Sequence, residues 1–215
     1  MRFHGFFRSG AAWRCRIGFA LKGVTPDFVP VHLRRGGGEQ KSPAYKALNP
    51  QGLVPALEVD GHVLTQSLAI LEWLDETIPE PAFLPKDPFA RAEVRAFALA
   101  IACDIHPIDN LRVLNYLKDP LGHSQDEVDG WYRHWCTEGF AGLEAIAQSH
   151  AGQGRFLFGD APGLAEICLI PQIGGARRFG TDMTAHPRLL EVEAACMALP
   201  AFADAVPGKQ PDAEA

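Results

Sequence analysis

The sequence predicts an α+β chain in two parts, a small mixed-sheet domain followed by an all-helical one. Three observations predict it. Up to residue 78 the apolar pattern runs strand, helix, strand, crossover, then two strands and a helix. Four prolines, Pro79, Pro81, Pro85 and Pro88, then fall within ten residues and mark a connection. Beyond them the strand signal gives way to helical periodicity. The expected boundaries are 1–80 for the first domain, 81–89 for the linker and 90–215 for the helical domain.

In order, Arg2 to Phe7 reads as a strand, and Ala12 to Lys22 as a helix with Trp13, Ile17, Ala20 and Leu21 on one face. Phe28 to Leu33 suits a second strand. Ser42 to Leu48 predicts a short helix ended by Asn49-Pro50. Val54 to Val59 and His62 to Leu64 flank Asp60-Gly61, the dipeptide of a two-residue hairpin. Ser67 is expected to cap a helix carrying Ile70, Leu71, Leu74 and Ile78. The order βαβ then ββα predicts a mixed four-stranded sheet. Helices are expected over Phe89–Ile105, Pro107–Leu117, Asp126–Ala147, Leu164–Phe179 and Pro187–Met197.

The chain has 215 residues, 47% hydrophobic and 21% charged, which is ordinary for a globular protein. A net charge of −6 argues against a broad nucleic-acid or anionic-membrane surface, so an anionic ligand must meet local arginines. The start, MRFHGFF, lacks a secretory pattern, which predicts a cytoplasmic location. Cys15, Cys103, Cys136, Cys168 and Cys196 show neither redox-pair nor zinc-site spacing, and no metal is expected. Arg34 to Gly38 lacks the phosphate-loop pattern and is read as a flap.

Three features of the first domain converge on one sheet edge. Ser9 stands at the strand-to-helix turn, Val54-Pro55 opens a strand, and Gln66-Ser67 starts a helix. A helix start with a serine hydroxyl suits a carboxylate, and extended backbone at Val54 suits a peptide-like ligand, particularly with a cis proline. The plainer reading makes Ser9 and Gln66-Ser67 simple caps. The order of all three elements favours the functional one.

The segments RSGAAWRCRI, ALNPQGLVPAL and QSLAILEWL, with the helical second half, resemble the zeta class of the glutathione transferase family, from about Phe3 to Pro211. CDIHPIDNLRVL and PQIGGARRFGTDMTAHP are similar to its bacterial maleylpyruvate isomerases. The resemblance implies a thioredoxin-like first domain holding glutathione, a helical domain holding an organic acid, and a homodimer. It also implies glutathione-dependent isomerisation of maleylpyruvate to fumarylpyruvate, within aromatic-acid degradation. Maleylacetoacetate is the alternative substrate, and a dehalogenase of α-halo acids or a non-catalytic glutathione binder are further ones. In the isomerisation the glutathione thiolate adds to the cis double bond, the resulting single bond rotates, and elimination returns thiolate and trans product.

That chemistry needs an ionised thiol, donors for the charge that develops on the carbonyl side, and arginines for a dicarboxylate. Ser9 is the candidate thiolate donor, with Arg8 and Arg178 as its catalytic companions. Gln40, Val54, Pro55, Gln66, Ser67, His106 and Asn110 are expected to bind glutathione, and Arg8, Arg112 and Arg178 the substrate. On a helix starting at Pro107, Asn110 and Arg112 diverge. The plainer readings leave His106 at the surface and Arg177-Arg178 as a solvated pair at a helix end. Asp104, His106 and Asp109 lack the spacing of a metal site. The chain departs from the family at Gly10, Ala11 and Ala12, where hydroxyl or thiol residues are usual, and at Gly163, where a hydroxyl cap is usual.

Overall fold

The structure, a computed structural model, describes residues 1–214. It forms two compact units: Met1–Phe83 with the tail from Ala198, and Leu84–Met197. The tail beyond 197 thus belongs with the first unit, where the periodicity alone grouped it with the helices.

The first unit holds β1 (Arg2–Gly5), α1 (Gly10–Leu21), β2 (Asp27–Pro30), α2 (Pro43–Leu48), β3 (Ala56–Val59), β4 (His62–Thr65) and α3 (Ser67–Thr77). The sheet order is β2-β1-β3-β4, with β1 parallel to β2 and the other pairs antiparallel. The mixed four-stranded sheet is therefore present. At the β3–β4 hairpin, Asp60 and Gly61 have φ of 49° and 79°, as a two-residue turn of this hand requires. β1 stops at Gly5, because the chain turns through Phe6 to Ser9 to begin α1. Phe3, Ile17, Leu57, Ile70, Leu71 and Leu74 form the core. α1 and α3 approach closely at Gly18, where a Cβ would stand 2.2 Å from Leu71 Cδ2.

A buried ion pair ties α1, α3 and the connection together. Lys22 Nζ donates to Asp75 Oδ1 at 2.7 Å and to the Pro81 carbonyl at 2.6 Å, and lies 4.2 Å from the Phe83 ring centroid. Asp75 Oδ1 also accepts the Phe83 N–H at 2.8 Å. The tail is held by Arg16, whose Nε donates to the Ala205 carbonyl at 3.0 Å and whose Nη2 donates to the Phe7 carbonyl at 3.0 Å. Asp212 Oδ2 accepts the Phe7 N–H at 3.0 Å. The loop before Ser9 is thus braced by a helix and by the tail.

The second unit holds α4 (Pro88–Leu99), α5 (Leu111–Lys118), α6 (Gln125–Ser149), α7 (Leu164–Arg178) and α8 (Pro187–Met197). The tail carries a final turn, α9 (Pro200–Ala203). α7 is buried along most of its length, including Glu166, and forms the centre of this unit. Glu166 accepts the Gly163 and Leu157 N–H groups, each at 2.7 Å, so half of a capping box survives without the hydroxyl.

Two predicted helices change. The one over 89–105 is α-helical only to Leu99 and continues as a π-turn over Ala100–Ile105, which packs on Gly139, where a Cβ would stand 2.3 Å from Ile105 Cδ1. The one over 107–117 begins at Leu111. Pro107 has no N–H, and Asn110 takes the extended cap conformation (φ −68°, ψ 148°) that its side chain favours.

Candidate functional site

In the first unit, Ser9 is the N-cap of α1, with φ −68° and ψ 118°. Its Oγ accepts the Ala12 N–H at 3.2 Å. A serine hydroxyl has two lone pairs and one proton, so capping leaves the proton free to donate. The unpaired N–H groups of the first helical turn add positive potential at the same place. No other hydroxyl is available in this turn, since Gly10, Ala11 and Ala12 follow. Arg8 precedes it, its guanidinium 4.9 Å from the Phe7 ring centroid.

The second element is the segment before β3. The Val54–Pro55 bond is cis. Tyr45 Oη and Asn49 Nδ2 both donate to the Leu53 carbonyl at 2.7 Å, which fixes the chain as it reaches Val54. Burial pushes the Tyr45 phenol up to about 12, so it remains a donor across the physiological range. Gln40 is buried and turned into its own loop. Its Nε2 donates to the Leu33 carbonyl at 3.3 Å, and its main-chain carbonyl lies 3.0 Å from where a Cβ on Gly52 would be.

The third element corrects an expectation. Ser67 does not cap α3; it is the first helical residue, and Gln66 is the cap, with φ 68° and ψ 119° and no side-chain capping bond. A non-glycine residue in that region carries strain of about 1–3 kcal/mol, a feature that concentrates at functional sites. Gln66 is exposed and its Nε2 donates to Gln51 Oε1 at 2.9 Å. Gln51 N–H in turn donates to Asn49 Oδ1 at 3.1 Å. Hydrogen bonds therefore link the Val54 segment to the start of α3. Ser67 is buried, and α1 reaches it twice: Arg14 Nη1 donates to its Oγ at 3.4 Å, and the Cys15 thiol donates to its carbonyl at 3.9 Å.

In the second unit, the turn carrying His106, Asp109 and Asn110 is held by α6. Trp131 Nε1 donates to the Ile108 carbonyl at 2.9 Å, and the Cys136 thiol donates to Asp109 Oδ2 at 3.3 Å. The His106 N–H closes the π-turn on the Ile101 carbonyl at 2.9 Å. Asn110 and Arg112 do not diverge as two helical residues. Asn110 is the cap of α5, and its Oδ1 accepts the Arg112 N–H at 3.1 Å. The Arg112 side chain is exposed in the first turn.

The Arg177-Arg178 pair divides. Arg177 makes a two-pronged bond to the Glu193 carboxylate. Arg178 ends α7 with its guanidinium 5.0 Å from the Phe179 ring centroid, and that ring stacks on Tyr132 at 3.8 Å. Among the described residues no cluster of three metal-ligating side chains occurs.

Sequence reading missed Arg14 and weighed Asp109 only as a metal ligand. Arg14 lies in phase with the buried Ile17 and Gly18, a position where a charged residue on an apolar helix face was the available signal. Asp109 is buried, and that burial pushes its carboxyl up to about 7, partly offset by the Cys136 hydrogen bond. Between its ordinary value of 3.8 and about 7 the folded state therefore binds more protons than the unfolded one. Stability falls as pH rises through that window and levels off above it. Asp109→Asn is expected to flatten the dependence of Tm on pH and to exceed the parent's Tm at about pH 8. Parallel curves for the two proteins would contradict this.

Residues 8–77 match the family described as Glutathione S-transferase, N-terminal domain, and residues 129–195 the corresponding C-terminal domain. The chain is 46% identical to a maleylpyruvate isomerase of Ralstonia sp over 99% of both chains. It is also 46% identical to a maleylacetoacetate isomerase of Pseudomonas aeruginosa over 100% of both. The holo structure of a maleylpyruvate isomerase, described as a bacterial zeta-class glutathione S-transferase, superposes with a TM-score of 0.96 at 45% identity, covering 100% of both chains. A maleylacetoacetate isomerase of Anaeromyxobacter dehalogenans 2CP-1, with dicarboxyethyl glutathione and citrate bound in its active site, gives 0.86 at 41% identity, covering 100% of this chain and 97% of that one.

Proposed function

Because this chain belongs to the glutathione S-transferase family, we propose that it is a glutathione-dependent cis–trans isomerase of maleylpyruvate. The observation that carries the reading is the Ser9 hydroxyl, half-buried at the start of α1 with its proton free. Full-length identity of 46% to a maleylpyruvate isomerase supports it. The dicarboxyethyl glutathione held by a relative supports the chemistry, since such a thioether is what thiol addition to a butenedioate produces.

In the proposed mechanism the first unit binds glutathione through Ser9, Gln40, Val54, Pro55, Gln66 and Ser67. Ser9 and the α1 start hold the sulfur as thiolate. The thiolate attacks the cis double bond, and the electron pair moves onto the conjugated carbonyl as an enolate. Rotation about the new single bond and expulsion of the thiolate give the trans product. Arg8 is assigned to the enolate side and Arg178 to a substrate carboxylate, with Arg112 beside it in role. His106 and Asn110 supply polar contacts to glutathione. Equal identity to a maleylacetoacetate isomerase favours that acid as the second reading. The proposal extends to a cytoplasmic homodimer.

A thiol count distinguishes isomerisation from conjugation. Free glutathione is titrated before and after complete conversion of the maleyl acid. The proposal expects the thiol to be returned in full; loss of one thiol per substrate would make the protein a conjugating transferase. Arg178→Ala is expected to raise KM for the dicarboxylate by about tenfold, a typical charge-assisted contact, with glutathione affinity retained. Equal loss of both would remove Arg178 from substrate binding.

A further inference from the structure

Arg14 is 2% exposed, and its one hydrogen bond runs from Nη1 to Ser67 Oγ at 3.4 Å. Its Nε and Nη2 are buried without a partner, and no carboxylate pairs with it among the described residues. An arginine remains charged under all working conditions and is a donor only. A buried cation without a counter-charge is unfavourable by itself. This one lies beneath the start of α3, an 11-residue helix whose first N–H groups add positive potential at the same point. Two positive sources therefore meet at Ser67.

The direction of the Ser67 bond has a chemical consequence. Because the guanidinium can only donate, the Ser67 oxygen must accept, and its proton is turned away from Arg14. The neighbouring Cys15 thiol holds the Ser67 carbonyl at 3.9 Å and so fixes the residue from the other side. The strained Gln66 immediately before it is exposed.

We propose that Arg14 is a positioning residue of the glutathione subsite: it fixes Ser67 as a hydrogen-bond donor and supplies buried positive charge for one carboxylate of glutathione at the start of α3. This rests on the function proposed above. Arg14 acts through Ser67 and does not itself touch the ligand. The arriving carboxylate is the counter-charge that the buried guanidinium lacks.

Calorimetric titration with three ligands tests this: glutathione, its glycine amide, and the analogue lacking the γ-glutamyl α-carboxylate. The parent is expected to bind one of the two neutralised analogues at least about tenfold more weakly than glutathione, as loss of a charge-assisted contact requires. In Arg14→Met that ratio is expected to fall to within about twofold, and Arg14→Lys to restore part of it. Adding Ser67→Ala to Arg14→Met should produce little further loss, because the two residues act as one unit. Should Arg14→Met fail to fold, Arg14→Gln, which keeps a donor and drops the charge, is expected to lower the ratio in its place. Equal weakening of all three ligands would make Arg14 merely structural and overturn the proposal, as would a variant retaining the parent's ratio. A parent that binds no glutathione would overturn the proposed function together with this inference.

Discussion

Replacing Ser9 by alanine is expected to lower kcat/KM by about a hundredfold, the effect of removing one preorganised donor from a developing or resting anion. In free-energy terms that is about 2.7 kcal/mol. The same change removes the cap bond to Ala12 and should cost about 1 kcal/mol of stability. Ser9→Gly separates the two effects, because glycine is a tolerated cap within a few tenths of a kcal/mol but offers no hydroxyl. The expected pattern is therefore a Tm loss for alanine only and a turnover loss for both. Bound glutathione should also require a higher pH to ionise in both variants, read from the thiolate absorbance. Turnover maintained in Ser9→Gly would assign thiolate stabilisation to the α1 N–H groups alone.

The largest stability effect is expected at Asp75. Its carboxylate is the partner of the fully buried Lys22 ammonium and also accepts the Phe83 N–H. Asp75→Ala leaves that ammonium with the Pro81 carbonyl and the Phe83 ring face, neither of which neutralises it. Breaking a buried pair from one side costs about 3–5 kcal/mol. In a chain of this size each kcal/mol is worth about 2–4 °C, so Tm should fall by roughly 6–20 °C. Replacing both partners by apolar residues, Lys22→Met with Asp75→Leu, should recover most of the loss, since the desolvated charges then disappear together. A shift under about 2 °C for Asp75→Ala would mean that the pair contributes little.

The parts of the fold that were legible in the sequence are those set by local chemistry. Asp60-Gly61 announces the hairpin because its backbone conformation favours those residues. The helix over Pro187–Met197 follows from a starting proline and a regular apolar face. Misplaced boundaries arose where two local signals competed. Ser67 is a good cap by type, yet the chain places Gln66 there at φ 68°, and Ser67 is drawn into the first turn by α1. Asn110 looked helical because the apolar pattern runs past it, although its side chain serves the cap.

Candidate site residues were legible through the order of motifs rather than through any one of them. Ser9 stands out because the three residues after it lack side-chain donors. The roles of Arg14 and Asp109 were not legible, because they depend on burial and on tertiary partners: Arg14 lies buried against Ser67, and Asp109 against Cys136. The tail's place in the first unit was equally hidden, since Arg16, Ala205 and Asp212 are far apart in sequence.

The most direct test of the central claim is the rate of cis–trans conversion of maleylpyruvate by the purified protein, with and without glutathione, beside maleylacetoacetate at equal concentration. The account predicts conversion only with glutathione and faster with maleylpyruvate. Conversion of neither acid would contradict it and would mean that Gly10, Ala11 and Ala12 belong to a site for another electrophile or for binding alone.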